Sequence, residues 1–305
     1  MWLASLTLLT AQSAANIDAS FDAYELRLEA RSADEACAVF TEVERDLLNA
    51  AIRRSRDDAV LQGASPAQLN QFEDRQRDAF ETSCRAAFDL PGVARHRDEV
   101  FRLTGFDQAR FQGRLQGWTA QRGGVSDDYA RWSIVQSLGQ GDANFGVFQQ
   151  GDTTGLALSL RTSLRPAYAV AFLRDTSQEP YPVDMTAGGL LAPPDNDPVS
   201  AWSAPSDRLV RVFATEALSA QRAGELAPAA GAPAVGFQFP DTLVAQLASL
   251  APREGARIDL YDATGVVIDR YWVEIGALDA AMGFMRLPRM APQSTAAAQD
   301  MTASN

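Results

Sequence analysis

The chain has 305 residues, 46% hydrophobic and 22% charged, a globular balance that excludes a disordered protein and allows two ordinary domains. Its net charge is −12 and all 27 basic residues are Arg. An acidic chain without clustered positive charge disfavours nucleic acid as a partner, and the absence of Lys removes Schiff-base chemistry and a Walker-type phosphate lysine.

The first fifteen residues, MWLASLTLLTAQSAA, form an apolar run ending in small residues, with Ala11-Gln12-Ser13 or Ser13-Ala14-Ala15 as cleavage sites. This is the pattern of a secretory signal, although no positive charge precedes it. Residues 1–16 are therefore expected to be a leader and the protein to be periplasmic or secreted. No later apolar run approaches the ~18 residues that span a bilayer, so no membrane span is expected. The two cysteines, Cys37 and Cys84, suit an oxidising compartment. Pairing them would close a loop of about 48 residues and stabilise the fold by on the order of 4 kcal/mol.

Residues 17–112 read as an α-helical domain. The segment Ile17 to Arg31 is amphipathic, and Ser32-Ala33-Asp34-Glu35 has the form of a capping box. Behind it Ala36, Val39, Phe40, Val43, Leu47 and Ala50 recur at helical spacing as far as a stop at Gly63. A second box, Ser65-Pro66-Ala67-Gln68, opens the next helix, with Leu69, Phe72, Phe80 and Ala87 on its apolar side. Two such helices form an antiparallel hairpin. A rigid hairpin leaves Cys37 and Cys84 offset by roughly 10 Å at 1.5 Å rise per residue, so the first helix is expected to break near Arg56-Asp57-Asp58. A third helix runs from Val93 to Leu103. His96 lies on it between Arg95 and Arg97 and, lacking a converging partner, is expected on a solvated face.

Residues 113–288 change to period 2 with Gly-rich separators. Leu115 to Gln121, Ala130 to Ser137, Asn144 to Gln149, Leu156 to Thr162, Ala167 to Arg174 and Arg208 to Ala214 read as short strands of a sandwich-like domain. Thr176 to Ser206 reads as a long Pro- and Asp-rich loop, in which Asp195-Asn196-Asp197 lacks the remaining positions of a calcium loop. Ala220 to Pro233 reads as a connector. A helix from Asp241 to Leu250 follows, then strand, turn and strand from Arg257, with Ile258 and Leu260 facing the core and Gly265 in the turn. A closing helix is expected to cover the sheet with Leu278, Met282 and Met285. The tail, 289–305, has no pattern and is expected to be disordered. The fold class is α+β, a helical hairpin domain followed by a β-rich domain closed by a C-terminal helix.

Two stretches carry resemblances. The Gln76, Phe80, Cys84 spacing resembles the disulfide-bonded helical domain of periplasmic lysozyme-inhibitor-like proteins, in which a Trp and an Arg stand where this chain has Gln76 and Phe80. That resemblance covers about fifty residues and implies at most a helical interaction module; lysozyme inhibition through residues 17–112 is a separate alternative. The run Leu243 to Leu287, with a strand followed by a Gly-led apolar helix at Val273 to Met285, resembles the closing segment of the invasion-associated locus B proteins and of type VI secretion accessory proteins. It implies a small periplasmic β-rich binding or accessory module.

The residues themselves support no catalytic signature. One His, two Cys and no G-x-S-x-G motif exclude a nucleophilic triad and a zinc site, and no cofactor or metal is expected. The surviving chemistry is a carboxylate pair acting on a cell-wall glycan, for which Asp127 and Asp128 with Glu216 or Glu225 are candidates. Trp118, Trp132 and Trp272 lie on expected strands and read as core. Trp202 lies in the Pro-rich loop and is the candidate binding residue. The expectation is a non-enzymatic envelope protein that binds a protein or an envelope polymer.

Overall fold

The computed structural model describes residues 4–62, 64–78, 83–122, 131–150, 153–178, 203–229, 231–252 and 254–289. Asp127, Asp128, the 195–197 segment, Trp202, the side chain of Trp132 and the tail beyond residue 289 lie outside them. Helices come first, α1 (Ala4–Cys37), α2 (Glu42–Leu61), α3 (Pro66–Asp78), α4 (Cys84–Ala87) and α5 (Pro91–Thr104). Strands follow: β1 (Gln108–Gln112), β2 (Gly117–Gln121), β3 (Arg131–Leu138), β4 (Ala143–Gln150), β5 (Thr153–Arg161), β6 (Tyr168–Arg174), β7 (Leu209–Phe213) and β8 (Glu216–Ala217). Then come α6 (Ala220–Leu226), β9 (Ala234–Phe239), α7 (Thr242–Ala248), β10 (Gly255–Tyr261), β11 (Val267–Glu274) and α8 (Leu278–Arg286). The fold is α+β, and no described helix is long and apolar enough to cross a membrane.

The helical layer corrects two expectations. α1 runs without a break from Ala4 to Cys37, so Ser32-Ala33-Asp34-Glu35 lies inside it and does not start a helix. Asp34 instead serves the far side of a break: its carboxylate accepts the Phe40 N–H at 2.9 Å and pairs with Arg45, and Ala38 turns out of the helix with φ +49°. Burial raises the proton affinity of Asp34, but Arg45 and the Phe40 N–H outweigh it and hold the carboxyl below its usual range. The working capping box is Thr41 with Glu44, where Thr41 N–H donates to Glu44 Oε2 at 2.8 Å and Glu44 N–H to Thr41 Oγ1 at 3.3 Å. Ser65 and Gln68 form the expected second box, at 2.9 and 3.2 Å.

α2 continues unbroken past Arg56, Asp57 and Asp58. The break that aligns the cysteines is the Ala38 turn, which places Cys37 at the end of α1, opposite Cys84 at the start of the separate α4. The two form a disulfide with Cα atoms 5.3 Å apart. α1 is the axis of the layer and packs against α2, α3, α4 and α5. Where α5 starts, the crossing is so tight that a Cβ on Gly92 would lie 2.0 Å from the Leu26 carbonyl oxygen.

Two antiparallel sheets make the β part. One has seven strands in the order β1-β2-β3-β4-β5-β9-β8, the other four in the order β11-β10-β6-β7. They sandwich one core, with Trp118, Phe145, Leu158 and Phe237 from the first sheet and Ala171, Leu173, Ile258, Leu260 and Val273 from the second. Leu47 of α2 and Val100 of α5 belong to the same core, so the helical layer packs directly on the sandwich. α8 covers one end of it through Leu278, Ala281 and Phe284, all buried, while Met282 and Met285 are only half-buried. Arg122 ties the layers together, donating to the carbonyls of Leu287 at 2.8 Å and Leu103 at 2.7 Å beneath the Phe284 ring.

Other differences are local. The strands begin at Gln108, ahead of the expected change at 113, with Ala109 and Phe111 packed inward. The expected connector after Ala220 contains α6, capped by Ser219 Oγ, which accepts the Arg222 N–H at 3.2 Å. Seven residues are too few to show a helical period, and burial of Ala223 and Leu226 holds them. Trp118 is buried as expected; Trp272 is half-buried, with the Arg257 guanidinium 5.8 Å from its ring.

Candidate functional site

A partly open cleft of about 270 Å³ lies where the helical layer meets the sandwich. Its floor is apolar, built from Leu47 and Ala50 of α2, Val100 and Leu103 of α5, Phe111 of β1 and Ala280 of α8. The helical periods of α2 and α5 put these side chains on the faces turned to the sheet. Phe111 reaches the floor because β1 directs its odd-numbered residues toward α8, where the ring lies 5.7 Å from that of Phe284.

Five arginines line the cleft against two glutamates, in a chain whose overall charge is −12. Arg27 from α1 donates to Ser55 Oγ and lies 3.9 Å from Glu99, and burial lowers its proton affinity. Arg53 pairs with Asp279 of α8 and keeps a buried Nε without a partner. Arg54 donates to the Gly113 carbonyl at 2.9 Å and reaches Asp58 at 3.2 Å. Arg110 is exposed and, among the described residues, has no ion-pair or hydrogen-bond partner. Arg114 completes the set from the β1–β2 turn.

Of the two glutamates, Glu99 bonds Arg95 at 3.2 Å. Glu274, at the end of β11, is buried, and its carboxylate accepts the main-chain N–H groups of Arg114, Leu115 at 3.0 Å and Gln116 at 2.7 Å. Its own main chain is clasped by Gln136, at 2.9 and 3.0 Å, and by Trp118 Nε1 at 2.8 Å. Glu274 thus shapes the turn that carries Arg114; three main-chain donors on its carboxylate suit a structural anion rather than a general base.

His96 lines the cleft and is buried, against the expectation of a solvated face. It stands on the side of α5 that packs on α2, so its ring meets Phe40 edge-on at 4.9 Å. Its Nε2 lies 2.8 Å from the Glu44 carbonyl oxygen, which can only accept, so Nε2 carries the hydrogen and the buried, unpartnered Nδ1 carries a lone pair. Burial lowers its proton affinity more than the bond to Glu44 raises it, and the ring is neutral near pH 7. Among the described residues no group of three His, Cys, Asp or Glu is placed to hold a metal ion.

Glu216 and Glu225, candidates from the sequence, share one shallow depression of about 430 Å³ beside α6. Glu216 is exposed, and Glu225 accepts Gln221 Nε2 at 3.0 Å. This depression lies at β8, the edge of the seven-stranded sheet opposite β1 and the cleft. The arginines of the cleft escaped sequence reading because they come from α1, α2 and the β1–β2 hairpin, with no motif joining them. Compared with protein-family models, curated proteins and solved structures, the chain matches none.

Proposed function

We propose that this chain is an exported, non-enzymatic binding protein of the cell envelope that receives its ligand in the cleft between the helical layer and the sandwich. The observation that carries this reading is the concentration of five arginines around an apolar floor in an otherwise acidic molecule. Arg53 and Arg54 are ion-paired, so Arg110 carries the charge the cleft offers, which suits a partner that combines negative charge with apolar surface. The apolar N-terminal run and the Cys37–Cys84 disulfide support export to an oxidising compartment. The experiment is site-specific photo-crosslinking in the native envelope, with a photoreactive residue in place of Gln112 in the cleft or Gln221 on α6. Adducts from position 112 are expected; adducts from position 221 alone, or none, would remove the cleft as the site.

A carboxylate-dependent glycan hydrolase is the second reading, favoured by Glu216 and Glu225 lining one depression. It requires turnover of peptidoglycan by the purified protein that disappears in E216Q or E225Q.

A further inference from the structure

We infer that the occupant of the cleft is an extended, acidic peptide segment of a partner protein, added as a strand to the free edge of β1; this rests on the binding reading above and names its ligand class. Among the described residues β1 is an edge strand whose only ladder partner is β2. Five consecutive residues, Arg110 to Arg114, line the cleft. Arg110, Phe111 and Gln112 belong to β1; successive side chains of a strand point to opposite faces, so a cavity that all three line runs along the strand's edge.

The hydrogen-bond register says which main-chain groups face it. Gly113 N–H donates to the Gln116 carbonyl at 2.8 Å and Arg122 N–H to that of Asp107 at 2.6 Å. In an antiparallel pair bonded and non-bonded positions alternate, so the odd-numbered residues of β1 bond to β2. The N–H and C=O groups of Arg110 and Gln112 point away from β2, into the cleft. An added strand would bond them, with affinity from the main chain and selectivity from alternate side chains.

The surroundings select the strand's composition. Arg110 lies beside the free edge with no partner among the described residues, and Arg53 and Arg114 stand around it. Acidic side chains of the added strand meet Arg110, and the alternate apolar ones enter the floor over Val100, Leu103 and Phe111. The cleft's volume is that of roughly nine waters, enough for two or three side chains of such a segment. A basic strand is rejected by the same arginines.

The test selects random octapeptides displayed on phage against the full-chain protein. The selected pool is expected to alternate Asp or Glu with apolar residues. A synthetic selected peptide should protect the Arg110 and Gln112 amides from hydrogen exchange and lose about tenfold or more in affinity for R110E. Q112P removes an outward N–H that β2 does not use, a position where an edge strand tolerates Pro. It should lose binding comparably, while Q112A retains it. If Q112P does not fold, the peptide N-methylated at alternate positions gives the same reading on the unaltered protein. A pool without acidic alternation, or affinity indifferent to Q112P and to N-methylation, overturns the strand. Decanoate binding in the cleft with no peptide selected would overturn the peptide and leave the cleft as the site. Absence of adducts from position 112 together with no selection would remove both.

Discussion

The main-chain N–H of Gln116 donates to the carboxylate of Glu274 at 2.7 Å, joining residues 158 positions apart. With the N–H groups of Arg114 and Leu115 it forms a three-donor nest around a buried anion, and so sets the shape of the turn that presents Arg114. The fit excludes any side chain at the start of the turn: a Cβ on Gly113 would lie 2.4 Å from both the Gln116 carbonyl oxygen and Glu274 Oε1.

Removing that anion leaves buried donors unpaired. E274A should lower the unfolding free energy by about 3 kcal/mol and E274Q by about half as much, because the amide retains one acceptor. G113A should destabilise comparably through the steric conflict. Urea titrations of the three variants measure this; an E274A midpoint equal to that of the unaltered protein would show that the nest contributes no stability.

The disulfide closes a loop with a sequence separation of 47. Replacing both cysteines with Ala should cost about 3–4 kcal/mol, chiefly by freeing the unfolded chain. Peptide mapping under non-reducing conditions should recover a linked Cys37–Cys84 pair, and the double variant should melt well below the oxidised protein.

Because burial lowers the proton affinity of His96, the unfolded chain binds a proton there before the folded one does. Stability from this group is therefore complete above the unfolded value near 6.5 and is lost as pH falls below it, by at most about 1.4 kcal/mol per unit, levelling once the folded ring is protonated. Glu44 and Glu99 favour the charged ring and Arg27 opposes it, so they moderate the slope without changing its sign. Asp34, held below its usual range, contributes a separate loss in stronger acid, as pH falls through its folded value. Unfolding titrations at pH 7.5 and 5.5 should differ in the unaltered protein and differ less in H96Q; equal slopes would exclude His96 as the source.

Leu278 is buried where α8 meets the sandwich. L278D places a charge there without a partner, which should unfold the β part at room temperature. An unchanged circular-dichroism melt would show that α8 does not close the core.

Legibility followed the range of the interactions. The Ser65–Gln68 box and the alternation of Leu156, Leu158 and Leu160 could be read because caps and strand faces are set by neighbours within a few positions. The first box was misplaced because Ser32 to Glu35 and Thr41 to Glu44 both carry the required residue types. Contacts from Asp34 to Phe40 and Arg45 decide between them. His96 was misread because its flanking arginines indicate a wet face, whereas the packing of α5 on α2 turns the ring inward.

By itself the sequence determined the α+β order of elements, the acidic and lysine-free composition, and the pair of cysteines available for a bridge. These follow from local periodicity and from residue identity alone. Tertiary structure alone decided the cleft. Its arginines lie on separate elements, its floor joins α2, α5, β1 and α8, and its strand edge lies where β1 ends the sheet among the described residues. Convergence of side chains from distant positions depends on how layers pack, and no periodicity within a segment encodes it.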